Sequence, residues 1–172
     1  MPKELERTFL LKTIPKDLTK VRSKEIIDIY VPKSRSHPTL RIRKNGETME
    51  MTKKEPIDDD AAKQFEHTIS LDEEEFTALQ VDGKKLHKIR YYYEHEGKII
   101  EIGLFKGALE GLVLADVEFS SEAEMNHFDM PDFCLAEVTQ EEWAAGGMLC
   151  GKSYDEISMH LERFGYKKLY MR

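Results

Sequence analysis

Polar and apolar residues alternate along most of this chain with a period of two. In ELERTFLL (4–11), Glu4, Glu6 and Thr8 fall on one face and Leu5, Arg7 and Phe9 on the other. Similar alternation, rich in β-branched and aromatic residues, predicts strands over 4–11, 25–31, 39–46, 47–54, 65–71, 87–97, 98–107 and 112–120. KNGE (44–47) and HEGK (95–98) stand where tight hairpin turns belong, so neighbouring strands should run antiparallel. A longer period predicts helices over 71–80, 120–128, 139–147 and 153–165. The last has Ser153 as cap, Ile157, Leu161 and Phe164 on one stripe, and Gly165 as its stop. KKEPIDDD (53–60) reads as a loop and DEEE (72–75) as an acidic first turn. With no Pro/Gly/Ser-rich linker and no internal repeat, the expectation is one antiparallel α+β domain spanning 1–172.

The polar faces carry a second pattern. Charges recur in pairs two residues apart: Glu4 with Glu6, Arg41 with Arg43, Lys88 with Arg90, Asp116 with Glu118. Lys54 shares its face with Thr52, away from Met49 and Met51. Glu66 lies opposite the face of Phe65 and Ile69, and Glu101 opposite the face of Ile100 and Ile102. One such pair is ordinary solvated surface. Acidic and basic pairs on strand after strand, each backed by apolar residues, predict something else. The apolar faces should pack outward and the charged faces inward, inside a closed or nearly closed eight-stranded antiparallel β-barrel with a few flanking helices. Charges inside a barrel are costly without partners. The economical content is a wet channel whose bases bind a polyanion and whose acids bind divalent cations.

Composition narrows the function classes. A net charge of −7 over 172 residues argues against a non-specific nucleic-acid binder. No apolar run approaches the roughly 20 residues that cross a bilayer, and MPKELERT has no apolar signal core, so a cytoplasmic protein without a membrane partner is expected. Cys134 and Cys150 form no disulfide framework and no metal-ligand spacing, and read as reduced thiols. The six histidines are scattered, GKS (151–153) lacks the upstream glycines of a phosphate loop, and GALEG (107–111) reads as a turn.

Taken in order, these segments resemble the CYTH domain, or triphosphate tunnel metalloenzyme, family. ELERTFLL resembles its opening E-x-E-x-K strand, RIRKNG and MTKKEP the following basic hairpin, FEHTISL a strand with an internal Glu, and KIRYYYE the K-x-R-Y strand. EIGLFKGALEGLVLADVEF and EVTQEEW are similar to its most recognisable stretches. The resemblance implies a tunnel that hydrolyses a triphosphate compound with Mg²⁺ or Mn²⁺. Inorganic tripolyphosphate is the first expectation, and thiamine or nucleoside triphosphates are further ones. A non-catalytic polyphosphate or nucleotide binder and an adenylate cyclase are the alternatives. It implies Glu4, Glu6, Glu118 and the nearby Asp116 as metal ligands, and Glu66 as a second-metal ligand or an orienter of the bases. Arg41, Arg43, Lys54, Lys88 and Arg90 are implied as phosphate binders, Lys152 as a cover for the tunnel mouth, and Glu4, Glu6 and Lys88 as the catalytic set. The expected partner is a triphosphate-containing small molecule, with a homodimer admitted. All-oxygen ligands suit those cations, and phosphoryl transfer needs mainly positioning and charge neutralisation.

Two positions depart from the family pattern. Thr8 stands where the motif has Lys, and Gly103 where an acid is usual, with Glu101 two residues earlier on the same face. The missing ammonium implies slow hydrolysis. Restoring it as Thr8→Lys is expected to raise the rate, one preorganised charge contact being worth roughly 10²- to 10³-fold.

Overall fold

The computed structural model describes residues 2–172. Nine strands carry the fold: β1 (Lys3–Leu11), β2 (Ser23–Val31), β3 (Leu40–Asn45), β4 (Thr48–Ile57), β5 (Asp60–Leu71), β6 (Lys84–His95), β7 (Lys98–Phe105), β8 (Val113–Glu118) and β9 (Cys134–Glu137). Four short helices accompany them: α1 (Glu73–Leu79), α2 (Glu122–His127), α3 (Gly146–Leu149) and α4 (Tyr154–Glu162). All pairings are antiparallel, in the order β5-β4-β3-β2-β6-β7-β8-β1-β9, and a further pairing of β5 with β1 closes the first eight into a barrel. One edge of β1 meets β8, with Glu6 opposite Glu118 and Thr8 opposite Asp116. Its other edge is shared, by β5 along Lys3–Leu5 and by β9 along Phe9–Leu11.

The alternation turns the barrel inside out relative to an ordinary core. Outward-facing Leu5, Phe9, Leu11, Ile100, Ile102, Val113, Ala115 and Val117 are buried beneath Leu18, Phe119, Met125 and Cys134 from the connecting segments. On the far wall, Ile29 and Ile42 pack under Phe76 of α1. Burying apolar outer faces stabilises by roughly 25 cal/mol per Å², and it leaves the charged faces to line the interior. Arg7 fastens this shell. Its Nε and Nη2 donate to the Glu137 carboxylate at 2.9 and 2.7 Å, and its Nη1 to the carbonyls of Met125 and Phe128 at 3.0 and 2.8 Å.

The hairpins form at the expected places. His95 pairs with Lys98 across Glu96 and Gly97, whose φ values of 50° and 77° suit a mirror-image two-residue turn. KKEPIDDD is not one loop. Lys53–Ile57 extends β4, Asp58 and Asp59 turn at φ 52° and 59°, and Asp60 already opens β5, five residues earlier than expected. Aspartate tolerates the left-handed region better than most residues, so two acids make this turn without glycine. Asp72 caps α1 and Ser153 caps α4 in reciprocal capping boxes.

The helix expected over 139–147 does not form. A single 3₁₀ turn, Glu142–Ala144, is followed by extended Ala145 and then α3. The reason is contact with the barrel end. A Cβ on Gly146 would stand 2.1 Å from the Tyr30 hydroxyl and one on Gly147 2.3 Å from the Pro38 carbonyl, so these glycines let the backbone lie against the wall. Trp143 remains a core residue, 5% exposed and stacked on His160. β9 is an addition to the expected strands, too short for alternation to reveal. Both cysteines are free and buried, and among the described residues no helix is long and apolar enough to cross a membrane.

Candidate active site

The barrel encloses a cavity of about 710 Å³. Strand parity brings Glu4, Glu6, Arg41, Arg43, Lys54, Glu66, Lys88, Arg90, Asp116 and Glu118 to its wall, from six different strands. Lys152 is not among the lining residues. It follows α3, with its amide donating to the Leu149 carbonyl at 3.1 Å, so its assignment to the tunnel mouth finds no support in the geometry. Thr139, Gln140, Glu141 and Glu142 complete one end of the cavity.

Acids gather at one pole. One carboxylate oxygen each from Glu4, Glu6 and Glu118 lies within 4.8 Å of the others. Burial, with Asp116, Glu4 and Glu118 nearby, pushes the Glu6 carboxyl up to about 8 against the pull of Lys54. Burial also raises Glu4 despite its ion pair with Lys54, and burial with Glu101 raises Glu118. Three oxygen donors held together against their own repulsion suit a hard divalent cation, so this donor set fits Mg²⁺ or Mn²⁺. The other acids are engaged differently. Glu66 pairs with Lys54 at 3.2 Å, and Asp116 accepts a 2.8 Å hydrogen bond from the Thr8 hydroxyl.

Bases gather at the other pole, around an acid that alternation alone did not single out. Asp28 is 1% exposed and Arg43 5%, and they form a bidentate pair, Arg43 Nε and Nη2 donating at 2.6 and 2.8 Å. Burial would raise Asp28, but the charge and hydrogen bonds of Arg43 outweigh it and hold the carboxyl at about 2. The signal in sequence was its parity: Asp28 shares the inward face with Tyr30, opposite Ile27 and Ile29. Arg90 pairs with Glu101 at 3.1 Å. Among the described residues, Lys88 has no carboxylate within ion-pair distance and Arg41 Nε is buried with no hydrogen-bond partner. A buried donor without a protein partner and an ammonium without a carboxylate in contact, both lining one cavity, suit an anionic ligand. Burial, then Arg90, pushes the Lys88 ammonium down to about 8.

No family model matches this chain. The inorganic triphosphatase of Nitrosomonas europaea is 29% identical over 142 residues, 81% of this chain and 91% of that protein. A crystal structure of an inorganic triphosphatase superposes with a TM-score of 0.63 at 26% identity, covering 88% of this chain and 97% of the other. In sequence and in fold the chain is thus similar to inorganic triphosphatases. A conserved protein of Pyrococcus furiosus, 20% identical over 95% of this chain and 91% of its own, shares the fold at a TM-score of 0.50. Inside the cavity the neutral Thr8 hydroxyl rests on Asp116, and Gly103 leaves bare backbone against the Lys88 stem.

Proposed function

We propose that this protein hydrolyses the terminal phosphoanhydride of a short triphosphate, with inorganic tripolyphosphate as first substrate. The observation that carries the reading is the two-pole cavity: three convergent carboxylates at one end and, among the described residues, Arg41 and Lys88 without a carboxylate in ion-pair contact at the other. Its whole length of 1–172 acts as one domain in this reading. Arg41, Arg43, Lys88 and Arg90 would bind phosphate oxygens, the arginines through paired N–H groups and Lys88 as a point charge. Glu4, Glu6 and Glu118 would hold Mg²⁺ or Mn²⁺, which when bound neutralises phosphate charge as the reaction proceeds. Lys54, tied to Glu4 and Glu66, keeps the acidic pole from carrying its full negative charge before ligand arrives. Water attacks the terminal phosphorus in line. Its new P–O bond forms as the bond to the diphosphate oxygen breaks, and orthophosphate and pyrophosphate leave.

Phosphate release from tripolyphosphate, thiamine triphosphate and ATP, each with Mg²⁺ or Mn²⁺, tests this directly. Tripolyphosphate should be the fastest substrate, and release should vanish without divalent cation. Tight binding with no release from any of the three would replace hydrolysis by a binding role, a reading favoured by the uncharged Thr8.

Lys88 adds a pH signature. Its folded value of about 8 lies below the ordinary 10.5, so the empty barrel sheds this proton early and gains stability as pH rises between those two values. A bound polyanion favours the charged form. Tripolyphosphate binding in metal-free buffer should therefore take up a proton above pH 8 and weaken by up to about tenfold per pH unit. Calorimetry in buffers of different ionisation enthalpy reads that proton directly. A Lys88→Met protein should show no such uptake; uptake that persists in it would assign the proton to another group.

A further inference from the structure

Gly103 sits in the interior of β7, opposite Arg90 on β6 and Leu114 on β8, and faces the cavity. Its backbone is not in the left-handed region, so no turn or strain requires glycine there. Glycine inside a strand is otherwise unfavourable, since it packs nothing and loses much freedom on folding. The space explains it. A Cβ at this position would stand 3.1 Å from Lys88 Cδ and 3.7 Å from its Cε. The stem of Lys88 therefore lies across the bare backbone, bringing the ammonium to 5.5 Å from the centre of the Phe105 ring.

We infer that Gly103 is a positioning residue for the phosphate-binding ammonium: its missing side chain lets Lys88 lie flat across β7, and places no carboxylate in ion-pair contact with it, Asp116 and Asp28 acting only at longer range. The comparison within the cavity is internal to this chain. Arg43 is neutralised by Asp28, Lys54 by Glu4 and Glu66, and Arg90 by Glu101. Lys88 is 9% exposed and has no such partner among the described residues. A methyl group at 103 would have to displace its stem by a few tenths of an ångström at the least. An acid there would add both that displacement and a competing anion. Both consequences fall on one ammonium, which can reach a ligand phosphate only if its stem keeps this path.

This inference rests on the reading of the cavity as a triphosphate site, and a double-mutant cycle separates the two. The measurement is the Kd of tripolyphosphate by calorimetry for the natural protein, Gly103→Ala, Lys88→Met and the double variant. Lys88→Met should weaken binding about tenfold or more, the order for losing one charge-assisted contact. Gly103→Ala should reproduce a large part of that loss and abolish the proton uptake above pH 8, yet cost nothing further in the Lys88→Met background. Equal losses from Gly103→Ala with and without the Lys88 ammonium would assign Gly103 to packing and overturn the proposal. Unchanged binding in Lys88→Met would instead overturn the cavity assignment itself. Thermal unfolding checks that each variant folds, and Gly103→Ser repeats the cycle if the alanine protein does not.

Discussion

Replacing Glu4 and Glu6 together by glutamine should lower tripolyphosphate hydrolysis at least about a thousandfold, because two of three converging oxygen ligands lose their charge and the cation they would hold supplies much of the neutralisation. The fold should survive. Burial and the neighbouring carboxylates raise the Glu6 carboxyl to about 8, and a glutamine amide is a close copy of its protonated form. Lys54 keeps Glu66 at 3.2 Å when Glu4 is neutralised. Phosphate release with Mg²⁺ and a thermal unfolding curve together decide the matter. A folded variant that retained about a tenth of the rate would place the cation on other residues.

The second large effect is on stability. Asp28→Asn should destabilise the barrel by about 3–5 kcal/mol, the usual cost of leaving one partner of a buried ion pair without the other. Asparagine can still accept from Arg43 Nε, but the guanidinium charge, 5% exposed, then has no counter-charge in contact. The pH dependence has a definite sign. The carboxyl is held at about 2 against an ordinary 3.8, so its contribution is complete above 3.8 and lost as pH falls through 2. The gap between the two proteins in denaturant titrations should be full at neutral pH and narrow across that acid window. A neutral-pH cost below about 1 kcal/mol would mean the pair behaves as a solvated surface pair does.

Much of the site was legible because a strand sorts its residues by parity and nothing else. Once Phe9 and Ile102 are taken as outward, Glu6 and Glu101 can only face inward, and the charged cavity follows without any knowledge of which strands are neighbours. What parity cannot give is register. Asp28 meets Arg43 because β2 and β3 are paired in one alignment and no other, and a lone acid in an apolar strand carries no trace of that partner. The segment at 139–147 failed for a different reason. Its glycines and alanines have helical neighbours in sequence, but tertiary contact with Tyr30 and Pro38 decides their backbone. Gly103 is the instructive case: read alone it is a missing acid, and only the path of the Lys88 stem gives the absence a use.

The closure of the barrel by β1 also sets the order in which the molecule can be made. That strand needs Lys63–Phe65, Leu114–Glu118 and Cys134–Glu137 for its edges, and the Thr8–Asp116 hydrogen bond spans 108 positions of the chain. Contacts so distant repay their loop entropy only at the end of assembly, which makes this a slow, late step. Meanwhile the local hairpins β3–β4 and β6–β7 are already available, and they carry Arg41, Arg43, Lys54, Lys88 and Arg90. A chain still emerging from the ribosome is therefore expected to display an open basic sheet before Glu4 and Glu6 can meet Glu118. Acquisition of metal-dependent turnover would report the final seam of the barrel, and the unfinished chain would be the form most prone to stray polyanions, nucleic acid included.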